Sequence, residues 1–245
     1  MRAWFGTLLY PAGLVAIFVG CQALGVSAAL AALPALLALW VSLPIRVQRL
    51  WGEKRPWQQL GVSTSSSKLF FKTLLRGLIK AGFLLLIVAV GLLTSGKINS
   101  QPAINLGLLI NGIALGLGVG FAEELLFRGW LLGELEFRLR DQAWGKNGAL
   151  VFQALIFSLA HTRFNQPLPA MLGLLGGLAL LGIALGLQRR ADGGVIWGAV
   201  GLHGGLVGGW FVINQGFFGC DANPIGSLLG WAGLVLLLWV RRRWW

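Results

Sequence analysis

Glu123 and Glu124 are adjacent, and Arg128 follows four residues later, inside the apolar run from Leu117 to Leu132. The chain of 245 residues has only eight carboxylates, and two of them are here. An ionisable side chain at membrane depth costs at least a few kcal/mol, so it marks a candidate functional site. On a helix, Glu124 and Arg128 project about 40° apart and can pair. Glu123 points about 100° from Glu124 and about 140° from Arg128, so that arginine does not claim it. The motif therefore offers one neutralised pair and one carboxylate left for other work.

The chain's two histidines, His161 and His203, also fall in apolar segments. Counted at about 1.5 Å per residue from one membrane face, His203 lies about 15 Å deep, His161 about 20 Å and Glu123 about 15–20 Å. A carboxylate and two imidazoles at one depth admit two chemistries. The carboxylate can take a proton from water while the imidazoles orient the water or stabilise an oxyanion. The same three side chains form a His₂Glu ligand set, which on zinc leaves a position open for a hydrolytic water. Both routes end in hydrolysis. Ser158 lies three residues before His161, but nothing suggests a nucleophilic triad. The glycine-rich stretches lack the Lys-Ser/Thr sequel of a phosphate loop.

The elements that must carry these residues are membrane helices. Hydrophobic residues make up 56% of the chain and charged residues 11%, against about a quarter charged in soluble domains. Mean hydropathy is +0.76. We read an all-α, polytopic bundle of about eight transmembrane helices: about 4–24, 27–44, 74–94, 106–133, 148–163, 169–187, 194–214 and 225–240. The first two form a hairpin around Gly25-Val26-Ser27. Residues 1–104 hold N-terminal spans and a basic interfacial segment, 46–73, suited to an anionic leaflet. Residues 105–245 hold the candidate catalytic core, within a single integrated membrane domain. The start of the chain reads as a first span rather than a cleaved lipoprotein signal.

With the N-terminus inside, nearly all of the 20 Lys and Arg fall on the inner face. Lys97 and Arg163 fall outside, and Lys80 and Arg128 lie within spans. The positive-inside rule then puts both termini in the cytoplasm. It also explains the net charge of +12 without nucleic acid as a partner. The partners expected are membrane lipids and a membrane-associated protein or peptide. Cys21 and Cys220 fall near one membrane face in this topology, which allows a bridge without requiring one. Gly112, Gly116 and Gly120, and Gly201, Gly205 and Gly209, repeat every four residues and let helix backbones approach closely.

Glu123-Glu124-Leu-Leu-Phe-Arg128 resembles the Glu-Glu-x-x-x-Arg signature of the CPBP family, the CAAX-protease and bacteriocin-processing (ABI, or Rce1-like) intramembrane endopeptidases. Phe157-Ser-Leu-Ala-His161 resembles its Phe-x-x-x-His motif, and His203 stands at the histidine of its third motif. The resemblance covers roughly 105–215. It implies an eight-helix bundle with a site open to the membrane interior. It also implies that Glu123 and His161 activate water and that His203 serves the oxyanion or a metal, zinc if one is used. Glu124, Arg128 and Phe157 become supporting residues. The implied substrate is a membrane-associated, CAAX-type, prenylated or otherwise C-terminally processed protein or peptide.

One position departs. The family usually has Asn or Asp four residues after the second histidine, where this chain has Val207. Valine offers no side-chain donor, and losing one oxyanion donor costs about 10²–10³ in rate. Asn214 is about 16 Å further along the helix axis, and Asn111 is three turns from Glu123, so neither replaces it. The departure keeps a non-catalytic scaffold or maturation factor among the readings. A proton-coupled transporter using Glu123 is a third, without an inverted repeat to support it.

Overall fold

The computed structural model describes residues 2–25, 28–96, 103–220 and 223–244. All regular structure among them is helical. The chain forms two compact units, Met1–Trp57 and Gln58–Trp245.

In the first unit, α1 (Arg2–Ala23) packs on α2 (Ala28–Trp51). Of the expected turn, Val26 and Ser27 lie outside the described residues, as does Lys97. α2 runs on through Arg46 and Arg49 to Trp51, so the start of the expected interfacial segment is helical. Arg46 donates to the Gly6 carbonyl at 3.0 Å and sits over the Tyr10 ring. Tyr10 in turn lies 2.9 Å from the Ser42 hydroxyl.

The second unit holds the candidate site. α3 is Ser67–Thr94, and the Ser66 side chain accepts from Leu69 N–H at its start. This cap begins the helix seven residues before the expected 74. α4 is a continuous helix, Leu106–Arg138, whose middle turns, Leu125–Leu131, widen into a π-helix. α5 is Gly145–His161, α6 Leu168–Ala191 and α7 Trp197–Ile213, the last extended by a π turn, Asn214–Phe218. α8 is Leu228–Trp244. Although the sequence groups α3 with the N-terminal spans, it packs on α7 in the second unit.

Each apolar segment expected from the sequence is a helix, but the expected eight spans need correction. Among the described residues, four helical segments are long and apolar enough to cross a membrane: Leu33–Trp51, Ser67–Thr94, Leu106–Arg138 and Leu168–Ala191. A span needs roughly 20 apolar residues. α5 has 17 residues, as does the α-helical part of α7 before its π turn, and Leu9–Ala23 and Leu228–Val240 are shorter apolar helices among the described residues. Hydropathy summed over segments and their flanks does not distinguish a full crossing from a shorter buried helix. The bundle still suits an integral membrane protein. Large apolar side chains such as Leu75, Ile79 and Leu86 of α3, and Ile110, Ile113 and Leu117 of α4, face outward.

α7 is the buried centre, held between α3 and α4. Its glycines work on two faces. A Cβ at Gly116 of α4 would stand 2.6 Å from the Gly204 carbonyl oxygen, and one at Gly120 2.6 Å from the Gly204 Cα. On the other face, a Cβ at Gly205 would stand 2.7 Å from the Ala81 Cβ of α3. The close backbone approach expected from the four-residue repeats is therefore present. A polar latch ties α3 to α6: Lys80 Nζ donates to Gln188 Oε1 at 2.7 Å, Gln188 donates to Asp192 at 2.8 Å, and Arg76 pairs with Asp192. Lys80, a lysine within a span, thus has its partner on α6.

Candidate active site

Three helices bring one acid and two imidazoles together. Glu123 comes from the end of the α-helical part of α4, His161 from the last residue of α5 and His203 from the second turn of α7. Nε2 of His161 lies 2.9 Å from Glu123 Oε2, and Nε2 of His203 lies 3.7 Å from the same oxygen. Glu123 and His161 keep about a quarter of their side chains accessible, whereas Glu124 and Arg128 are fully buried.

Glu124 and Arg128 pair as their spacing requires, with Arg128 Nη1 donating to Glu124 Oε1 at 2.7 Å. Glu124 also does something the spacing did not reveal. Its Oε1 lies 2.8 Å from Nδ1 of His203, 79 residues away in sequence. A carboxylate oxygen already accepting from arginine acts as an acceptor here, so the His203 proton sits on Nδ1. The Phe157 carbonyl does the same for His161, 2.8 Å from its Nδ1. Both imidazoles therefore turn Nε2 toward Glu123. A bare Nε2 lone pair cannot rest 2.9 Å from a bare carboxylate oxygen. The Glu123–His161 contact consequently holds a proton, on the ring or on the carboxyl group. The contact is short but poorly aligned for a direct hydrogen bond, and Oε2 has no well-directed partner.

Phe157 is the platform beneath this cluster. It is completely buried, with its ring centroid 4.5 Å from that of His161 and 5.5 Å, edge-on, from that of His203. The Arg128 guanidinium carbon lies 4.1 Å from the same centroid, and Phe127 packs edge-on at 5.1 Å. Arg128 Nε and Nη2 make no hydrogen bond, so the ring face supplies part of what the buried cation lacks. The spacing of Phe157 one turn before His161 was the available sequence signal. Its contacts with His203 and Arg128 come from other helices and left no local trace. The π-helical turns directly after Glu124 are a further feature without a sequence signature. Such turns recur at functional sites, where they re-aim side chains.

Glu123, His161 and His203 open into a cavity of about 520 Å³, also lined by Arg163, Gln166, Trp210 and Val207. Val207 thus stands beside His203 in this cavity, where it offers no donor. Asn214 is committed elsewhere: its amide nitrogen donates to the Cys220 carbonyl at 2.9 Å, and its oxygen accepts from Cys220 N–H at 3.0 Å. Cys21 and Cys220 are free thiols.

A zinc ion needs three protein ligand atoms about 2 Å from one point. Among the described residues no three His, Cys, Asp or Glu side chains meet that requirement. The donor types of Glu123, His161 and His203 would nonetheless suit zinc.

Residues 105–208 match the family model described as type II CAAX prenyl endopeptidase Rce1-like. The match spans both glutamates, Arg128, Phe157 and both histidines. This segment is similar to that family, a likeness that points to a protease-type hydrolase. No curated protein and no solved structure matches the chain.

Proposed function

We propose that this protein is an intramembrane endopeptidase that hydrolyses a peptide bond of a membrane-associated, CAAX-type protein or peptide, with Glu123 as the water-activating carboxylate. The observation that carries the reading is the convergence of both Nε2 atoms on Glu123 Oε2 at the wall of an open cavity. Water held in the cavity against Glu123 and His161 loses a proton to the carboxylate as its oxygen attacks the scissile carbonyl carbon. His203 serves the developing oxyanion as an imidazolium, with Nδ1–H held by Glu124 and Nε2–H facing the oxyanion. The carbon–nitrogen bond then breaks, and the proton held by Glu123 passes to the leaving amine. The products are a carboxylic acid and an amine, and no step passes through a metal.

The decisive experiment replaces Glu123, His161 and His203 by Ala in turn and follows cleavage of prenylated, C-terminally extended peptides by the purified protein in lipid. Each change should abolish cleavage while the thermal unfolding midpoint stays within a few degrees. Chelators should leave the native rate unchanged; inactivation reversed by zinc would instead support the metal route. Val207 favours a scaffold as the second reading. Full complementation of a deletion strain by the Glu123→Ala variant would support that reading over catalysis. We assign the basic ends of α4 and α6 to the cytoplasmic side, from the distribution of Lys and Arg alone.

A further inference from the structure

A second cavity, of about 500 Å³, lies where α4 and α6 end and α5 begins. Four cations line it, Arg140, Lys146, Arg189 and Arg190, with a single carboxylate, Glu136. That carboxylate is already taken: Arg190 donates to Glu136 Oε1 from Nε at 2.9 Å and from Nη2 at 2.6 Å. Nearby Glu134, buried, is held by Arg138. Asp141 stands 3.9 Å from Arg140, but both are exposed, and such a pair contributes little.

Arg189 makes the cavity unusual. It is 7% exposed, and its guanidinium donates only to backbone carbonyls, those of Gly194 at 3.1 Å and Gln59 at 3.0 Å. No described carboxylate lies within ion-pair distance of it. The favourable charge for Arg189 is Glu136, which Arg190 already engages, so the buried cation is only partly balanced, and an anion in the adjoining cavity would remove much of the remaining cost. The C-terminal end of α6 offers Arg189 and Arg190 only a partial negative charge. The cavity also sits at a particular level. It lies at the ends, Arg138 and Ala191, of two segments long and apolar enough to cross a membrane. Phosphate groups of lipids occupy that level, and basic pockets between helix ends bind them.

We propose that this cavity is a binding site for the phosphate of an anionic phospholipid headgroup, with Arg189 as the buried anchor and Arg140 and Lys146 as its accessible clamps. The glycerol and acyl chains would extend along the outward apolar side chains of the neighbouring helices. The site is separate from the Glu123 cavity. Lys146 and His161 are fifteen residues apart on α5, about 22 Å along its axis.

The test uses the full chain in neutral detergent, with its 12 tryptophans as the unfolding signal. Short-chain phosphatidylglycerol should raise the unfolding midpoint by several degrees at millimolar concentration. Short-chain phosphatidylcholine and inorganic phosphate at the same concentrations should not. Combining Arg140→Gln with Lys146→Gln should weaken the apparent affinity about thirtyfold, from roughly fivefold per cation. Both side chains are exposed, and should the double variant not fold, each single change should show its own fivefold loss. Glu136→Gln, which increases the positive excess, should retain or strengthen the response. An equal response to phosphatidylcholine would overturn the anion site. An equal response to inorganic phosphate would overturn the lipid assignment. An unchanged response in the clamp variants would overturn the location.

Discussion

The two ends of α5 handle buried charge in opposite ways. At its C-terminal end, Arg128 is answered by Glu124, Glu124 by His203, and Glu123 by His161. The charges there are arranged so that a proton has few places to sit. At its N-terminal end, Arg189 is buried with backbone carbonyls alone, and cations outnumber carboxylates around an open cavity. The first arrangement suits chemistry on a neutral group such as water or a peptide carbonyl. The second suits holding a charged group that arrives from outside. The contrast shows that burial alone does not mark a catalytic residue in a membrane protein; how the charge is answered separates a reacting site from a docking site.

The strongest way to break that contrast is at Glu123. Glu123→Gln keeps the shape and removes the base, so turnover should fall by about 10³-fold, within the range for loss of a general base. Stability should barely move, because the side chain is partly accessible and is not the partner of Arg128. Turnover within tenfold of the native rate would remove Glu123 from the reaction.

Glu124 and Glu136 sharpen the comparison on stability. Glu124→Gln leaves Arg128 fully buried without its counter-charge, at a cost of about 3–5 kcal/mol. It also releases Nδ1 of His203 from its carboxylate, so turnover of whatever folds should drop as well. Glu136→Gln breaks an equally short pair, but one that is partly exposed, and should cost about 1 kcal/mol or less. Thermal unfolding in one detergent reads both. Similar losses at the two positions would mean that burial does not separate the two ends of α5 in this way.

The sequence exposes the candidate site more readily than the bundle around it. Glu123, Glu124, Arg128 and the two histidines stand out because polar groups are rare in such a chain. The Glu124–Arg128 pair follows from four-residue spacing alone. The contact between Glu124 and His203 does not, since it joins residues 79 positions apart on helices brought together by Gly116, Gly120 and Gly204. The glycine repeats announce close packing but not which faces meet. Helix positions were legible from apolar runs. The number of full crossings was not, because α5 is 17 residues long and the polar Asn214 and Gln215 fall inside the helical extension of α7. The cations of the second cavity looked in sequence like ordinary positive-inside residues, and only the burial of Arg189 sets them apart.

The smallest expected effect concerns Val207, and it tests whether the catalytic end lacks a donor. Val207 lines the Glu123 cavity one turn beyond His203, on the same face of α7. Asn214 is held by Cys220 and is not free to reach the oxyanion. Val207→Asn places an amide donor beside His203 at little steric cost, since the cavity is open there. If His203 alone serves the oxyanion, this change should raise turnover roughly tenfold, a fraction of the 10²–10³ that an optimally placed donor contributes. The gain should appear in kcat rather than KM, because the donor meets charge that exists only in the transition state. An unchanged kcat would mean that a backbone N–H or another side chain already fills the role. An increase in binding without a rate gain would place residue 207 against the substrate rather than against the reacting oxygen.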